Sequence, residues 1–207
     1  MTALDLCSYL GLGAVGGATL TLLLGLLMSL RYSAVRHWPH YRRLNIFLLH
    51  RWLAYSTLAL AVCHPLVLLF LHAPKFRVVD VVWPVHSFLQ PKLNVTGAVA
   101  LYLVLLIVIS SLLRHRIGRP IWRRLHYLAF PAAAALFLHS ILTDPLLKDG
   151  KPDLLDGGKV FIEIAFLLSA AAVAARFHLR QRGLRPQPKV SETVLPAIGS
   201  ENRTDWV

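Results

Sequence analysis

The sequence predicts an all-α integral membrane protein, a bundle of five transmembrane helices. Of its 207 residues, 56% are hydrophobic and only 15% are charged, whereas a soluble domain carries about 25% charged residues. Five apolar stretches reach the roughly 20 residues that a helix needs to cross a bilayer. Their length and continuous apolarity favour helices over the shorter, alternating strands of a membrane barrel.

The five predicted spans share this length and low charge. In chain order they are about Leu10–Leu30, Asn45–Leu71, Val95–Leu113, Arg123–Leu142 and Val160–His178. The first span is too long for the apolar core of a cleaved signal peptide, and no basic residue precedes it. We therefore expect it to remain in the membrane with the other four.

The segments that flank the spans alternate in charge. Three of them are rich in arginine and poor in acid: Arg31, Arg36, Arg42, Arg43 and Arg51; Arg114, Arg116, Arg119, Arg123 and Arg124; and Arg176, Arg180, Arg182, Arg185 and Lys189. The loops 72–94 and 143–159 contain acidic residues as well. Because cytoplasmic loops are enriched in Lys and Arg, this pattern predicts an N-terminus outside and a C-terminus in the cytoplasm. The net charge of +12 thus reflects topology and contact with membrane lipid in the cell inner (plasma) membrane, and we expect no nucleic-acid partner.

The second span contains two histidines in the stretch HRWLAYSTLALAVCH. His50 and His64 are fourteen positions apart, which returns to within about 40° of the same helix face. An ionisable side chain inside a span is costly and therefore marks a functional site by default.

The fourth span contains a second pair in HYLAFPAAAALFLH. His126 and His139 are thirteen positions apart, and the second and fourth spans run in the same direction. We therefore expect His50 to face His126 near the cytoplasmic side and His64 to face His139 near the outside, about 20 Å further along the helix axis. Thirteen positions miss the same face of an ideal helix by about 140°, so the fourth span needs a distortion, which Pro131 makes available.

The chain divides into a membrane domain over residues 1–180 and a polar, Pro-rich cytoplasmic tail over residues 181–207. It contains no GxGxxG, no P-loop and no CxxCH. We therefore expect no flavin or nucleotide domain and no covalently attached haem in this chain.

Opposed imidazoles from two helices, without a nearby carboxylate, favour a six-coordinate haem over a small-ion cage. For each histidine alone, packing or hydrogen bonding is the alternative explanation. Four histidines at matching depths favour two stacked metal centres.

The two histidine pairs and the RRLHYL entry to the fourth span resemble the bis-haem core of the ferric reductase-like transmembrane family, over about residues 10–180. That family includes ferric-chelate reductases, NADPH oxidases and the haem subunit of the bacterial methionine-sulfoxide reductase system. The resemblance implies two b-type haems with His50, His126, His64 and His139 as axial ligands. Beside the inner ligands, three arginines are candidate partners of haem propionates, or alternatively of lipid headgroups: Arg51, Arg123 and Arg124.

The resemblance further implies the haem component of an oxidoreductase that moves one electron at a time across the membrane. The expected donor is a cytoplasmic flavoprotein reductase, which would carry the flavin, or a membrane quinol. The expected acceptor lies at the outer face: a chelated metal, a periplasmic redox protein or a partner subunit. The alternative is a non-catalytic or structural subunit of a larger membrane electron-transfer complex.

Overall fold

The computed structural model describes residues 2–30, 45–71, 75–87, 89–143 and 155–183. Five helices within these ranges are long and apolar enough to cross a membrane, and no strand occurs among the described residues, which confirms the predicted all-α bundle. Some of the predicted basic and polar segments lie outside the described residues: Arg31, Arg36, Arg42 and Arg43, residues 144–154 and the tail beyond residue 183.

Eight α-helices lie within the described ranges. In chain order they are α1 (Ala3–Ser29), α2 (Ile46–Leu66), α3 (Val78–Val82), α4 (Pro91–Leu112), α5 (Arg114–Ile117), α6 (Arg119–His126), α7 (Ala129–Leu142) and α8 (Gly157–Gly183). The first, third and fifth spans are α1, α4 and α8. The second span is α2 continued by a 3₁₀ turn over Val67–Phe70, and the fourth span consists of α6 followed by α7.

Side-chain caps determine where the first two spans begin. Thr2 and Asp5 form a capping box, in which Thr2 Oγ1 accepts from the Asp5 amide at 3.1 Å and Asp5 Oδ2 accepts from the Thr2 amide at 2.7 Å. This cap starts α1 at Ala3, seven residues before the predicted start. Asn45 caps α2 by accepting from the Leu48 amide at 3.0 Å.

The spans pack as two close pairs, the first on the second and the third on the fourth, while the fifth packs on the first and the fourth. Small residues bring the first pair together: a Cβ at Gly17 would collide with the Thr57 hydroxyl, and a Cβ at Gly13 would lie 3.3 Å from Leu60. The second and fourth spans pack little against each other. A separation therefore remains between the two helices that carry the histidines.

The fourth span is broken, as the histidine spacing predicted. Helix α6 ends at His126, a turn follows over Tyr127 and Leu128, and α7 begins at Ala129. Pro131 has no amide hydrogen, so the carbonyl of Tyr127 cannot receive the bond from four residues ahead. It accepts from the Phe130 amide at 3.2 Å instead. The break thus lies four residues before the proline that causes it.

The segment between the second and third spans is fastened at two points. Asp80, which is 5% exposed, accepts hydrogen bonds from the amide of Arg77 at 2.9 Å and from Arg77 Nε at 3.3 Å. The hydroxyl of Tyr102 in the third span donates to the carbonyl of Val82. The Asp80 bonds cap the start of the short helix α3, and the Tyr102 bond joins its end to the third span.

Protonation of Asp80 is expected to loosen this segment. The Arg77 amide, followed by the Arg77 guanidinium, lowers the pKa of the Asp80 carboxyl. A lowered pKa means that this stabilisation is complete above the ordinary aspartate range and is lost as the pH falls through the lowered value. Asp80→Asn should therefore raise amide hydrogen exchange across residues 78–82 several-fold at neutral pH, measured by mass spectrometry.

The matched control for Asp80→Asn is Glu163→Gln, which removes one negative charge from the fifth span. It should leave exchange across residues 78–82 unchanged. Equal exchange in Asp80→Asn and the wild-type protein would contradict the capping role of Asp80.

Candidate metal centres

The structure brings the four histidines together in the two predicted pairs. The ring centroids of His50 and His126 are 6.3 Å apart with an interplanar angle of 57°. Those of His64 and His139 are also 6.3 Å apart, with an angle of 80°. The expected pairing at two levels is therefore confirmed as geometry.

The separation of the rings suits one metal ion between each pair. A metal–imidazole bond is about 2.0 Å long and a ring nitrogen lies about 1.1 Å from the ring centre, so two rings on opposite sides of one ion have centroids about 6.2 Å apart. The observed 6.3 Å agrees at both levels. Rings in direct contact with each other would not need to have this separation in both pairs.

Three of the four histidines use Nδ1 to bind a backbone carbonyl of a neighbouring span. His50 bonds to Thr21 at 3.0 Å and His64 to Cys7 at 2.8 Å, both in the first span. His139 bonds to Leu93 in the third span at 2.8 Å. A carbonyl can only accept, so Nδ1 carries the hydrogen, and in the neutral ring Nε2 keeps the lone pair. Metal-binding histidines are oriented by this kind of bond.

A glycine lies four residues after each of these carbonyls, and we call each such carbonyl–glycine combination a glycine notch. The three notches are Cys7–Gly11, Thr21–Gly25 and Leu93–Gly97. A Cβ would come within 3.0 Å of His64 Nδ1 at Gly11, 3.3 Å of His50 Cε1 at Gly25 and 2.8 Å of His139 Cε1 at Gly97. The missing side chain therefore lets each ring approach the helix turn whose carbonyl it binds.

The sequence analysis did not identify the notches, which are candidate site residues because they hold three of the histidine rings. A signal was present: Gly11 and Gly25 are fourteen positions apart, the same spacing as His50 and His64. The first two spans are antiparallel, since Gly11 meets His64 and Gly25 meets His50. Equal spacing of glycine and histidine on two adjacent antiparallel helices could have predicted the contact.

His126 is the exception among the four. Its Nδ1 is buried and has no hydrogen-bond partner within the described ranges. Its ring packs against Trp122 with centroids 5.2 Å apart and an interplanar angle of 33°. Stacking thus replaces the carbonyl bond at this position.

A buried lysine secures the end of the fourth span. Lys159, which is 3% exposed, donates from Nζ to the carbonyls of Ser140 at 2.7 Å, Ile141 at 2.8 Å and Thr143 at 2.5 Å. Thr143 Oγ1 in turn donates to the carbonyl of His139 at 2.6 Å. A cation at a helix C-terminus is favoured by the exposed carbonyls and the helix dipole. The sequence alone placed Lys159 among the mixed charges of a loop.

The three predicted propionate partners are exposed at one end of the histidine-bearing spans. Arg51 follows His50 directly, and Arg123 and Arg124 lie in the last turn before His126. None of them forms a side-chain hydrogen bond or ion pair with a described residue. Their role stays a prediction.

Bare metal ions have no complete ligand set in the described part of the chain. No group of three or more His, Cys, Asp or Glu side chains converges there. A pair of imidazoles fills only two coordination positions, so any metal held by these pairs must bring further ligands with it.

Comparisons with known proteins support one family. The family model for the ferric reductase like transmembrane component matches residues 13–137, which include His50, His64 and His126 and end two residues before His139. A search of curated proteins found no match. A search of solved structures found no match either.

Replacing a notch glycine with alanine is expected to destabilise the protein. In Gly97→Ala the new Cβ would lie within 3.0 Å of three atoms of the His139 ring. Overpacking of this kind costs about 1–3 kcal/mol. The midpoint of thermal unfolding in detergent should therefore fall, and Gly25→Ala, where the nearest atom is 3.3 Å away, should lower it less.

Gly157→Ala is the matched control for the notch variants. No atom lies within 4 Å of a Cβ at Gly157, so this variant should be as stable as the wild-type protein or slightly more stable. If Gly97→Ala retained wild-type stability, the notch would have no role in holding His139.

Proposed function

Because the chain belongs to the ferric reductase-like transmembrane family, we propose that it transfers electrons one at a time across a membrane through two b-type haems. The family indicates transmembrane electron transfer in general. The observation that carries the specific proposal is the equal 6.3 Å separation of two imidazole pairs. His50 and His126 would hold one haem, and His64 and His139 the other.

The residues around each pair fit a flat macrocycle better than a small ion. Each pair of imidazoles would supply two nitrogen ligands to a haem iron, and the porphyrin would bring the remaining ligands. The second and fourth spans pack little against each other, so space between them is available to a planar group. When bound, each haem would supply an iron that accepts and releases a single electron.

The protein's own contribution is to aim and support the rings. The three notches hold Nδ1 of His50, His64 and His139, so that Nε2 remains the free ligand atom. The turn over Tyr127 and Leu128 interrupts the α-helical register between His126 and His139. Both of its histidines can then point toward the second span, despite a spacing of thirteen residues.

The exposed arginines are suited to bind the carboxylates of one haem. Arg51, Arg123 and Arg124 lie beside His50 and His126 and have no partner among the described residues. A guanidinium binds a carboxylate through two parallel hydrogen bonds. Lipid phosphate is the alternative ligand for the same side chains.

The direction of transfer rests on the charge pattern. Arginine-rich segments flank the end of the bundle with His50 and His126, so this end faces the cytoplasm in our proposal. Electrons would enter there from a cytoplasmic flavoprotein reductase or a membrane quinol. They would leave beside His64 and His139 to a chelated metal, a periplasmic redox protein or a partner subunit. The protein would thus be a haem component of the inner (plasma) membrane. Any flavin would be bound by a partner protein.

The proposal is tested by measuring haem in the purified full chain. A reduced-minus-oxidised spectrum with extraction of the porphyrin should give about two b-type haems per chain. His50→Ala and His139→Ala each remove one ligand of a different pair, so each should retain about one haem.

His178→Ala provides the matched control, because His178 is exposed in the fifth span and belongs to neither pair. It should keep the full haem content. A wild-type protein without haem after expression with excess haem precursor would contradict the proposal and favour the structural-subunit alternative.

A further inference from the structure

One of the four histidines is held differently from the others. The buried Nδ1 of His126 has no partner among the described residues, whereas the other three rings each bind a carbonyl beside a glycine. A buried polar atom without a partner is rare and calls for a specific explanation. His126 is also the last residue of α6, directly before the break. Among the described residues, neither a hydrogen bond to Nδ1 nor a continuous helix therefore fixes this ring.

Trp122 lies where it can hold the His126 imidazole in place. It lies one turn before His126, and its indole packs on the imidazole with centroids 5.2 Å apart. Its Nε1–H donates to Ser111 Oγ in the third span at 3.2 Å, and Ser111 Oγ donates to the carbonyl of Ile107 at 2.7 Å. The indole is thereby held between the third span and the histidine.

A tryptophan at the end of a span is often only an interfacial anchor with its N–H directed to water or headgroups. In this structure the N–H is directed to a side chain of another span, and the indole contacts the His126 ring with the two planes tilted by 33°. Both features fit an orienting contact inside the protein. An anchor would need neither of them.

We propose that Trp122, held in place by Ser111, is the positioning residue for His126 and replaces the glycine notch that the other three histidines have. The expected effect of Trp122 on a haem rests on the proposed function. A ligand whose Nδ1 lacks an acceptor is a weaker donor and is oriented by packing alone. The haem between His50 and His126 should therefore depend on Trp122 for its six-coordinate, low-spin state, and the haem between His64 and His139 should not.

The test compares four variants of the full-length protein at equal haem loading. Trp122→Leu removes the flat ring, Trp122→Phe retains a stacking ring without the N–H, and Ser111→Ala removes the anchor. Trp83→Leu is the matched control, because Trp83 is exposed in the segment between the second and third spans and forms no ring contact with the four paired histidines of the described structure. The readouts are the spin state from electron paramagnetic resonance and the two midpoint potentials from a redox titration.

In Trp122→Leu about half of the bound haem, one haem of two, should become high-spin. Trp122→Phe should remain low-spin, and Ser111→Ala should shift one midpoint potential and leave the other unchanged. Trp83→Leu should match the wild-type protein in both readouts. A structural role alone would lower the yield without affecting one haem selectively.

Three results would overturn the inference. The first is a Trp122→Leu variant with the same spin state and midpoint potentials as the wild-type protein. If the wild-type protein binds two haems, this result leaves the proposed function intact. The second is a Trp83→Leu variant in which half of the bound haem becomes high-spin, as expected for Trp122→Leu. The third result applies if the Trp122→Leu protein does not accumulate. In that case, a Ser111→Ala variant with unchanged midpoint potentials would overturn the inference. A wild-type protein without haem overturns the proposed function and this inference together.

Discussion

The hydrogen bond from a histidine Nδ1 to a carbonyl within a helix of a neighbouring span is the interaction on which the two proposed centres depend. Such a carbonyl already lies within a helical turn, so a side chain can reach it only where that turn is uncovered. Glycine uncovers it, as at Gly11, Gly25 and Gly97. The glycines of the first and third spans therefore decide where the histidines of the second and fourth spans can lie. Inside a membrane an unsatisfied ring nitrogen is costly. These bonds satisfy Nδ1 of His50, His64 and His139, whereas His126, at the end of α6, has no such bond to a described residue.

This dependence divides the spans by task. The first and third spans supply the carbonyls and glycines that hold three of the rings, and the third span also supplies Ser111, which accepts from Trp122. The second and fourth spans supply the four histidines. Each supporting span packs closely on its own ligand-bearing span, whereas the two ligand-bearing spans pack little against each other. Lys159 from the fifth span adds a tie at the far end of the fourth span, where three carbonyls would otherwise lack partners.

The sequence predicted those features that follow from length, charge and periodicity. Five apolar stretches gave the five spans, and the depths of His50, His64, His126 and His139 gave the two pairs. The thirteen-residue spacing also predicted a distortion of the fourth span, and Pro131 indicated its cause. These predictions succeeded because a helix of known rise and twist converts spacing directly into depth and direction.

Other features could not be predicted because backbone atoms have no sequence signature. The carbonyl partners of the histidines are visible in the sequence only through the glycines beside them. Lys159 looked like a loop charge because its acceptors are carbonyls of a helix end distant in the chain. The early start of α1 depends on the reciprocal contact of Thr2 and Asp5, a local bond that hydropathy does not report.

An experimental density map of the purified full chain, at a resolution that separates side chains, tests the central claim most directly. The account predicts two flat densities between the second and fourth spans. One should be bounded by the rings of His50 and His126 and the other by those of His64 and His139. Ring pairs bridged only by water or by direct contact, with no planar density between them, would contradict it.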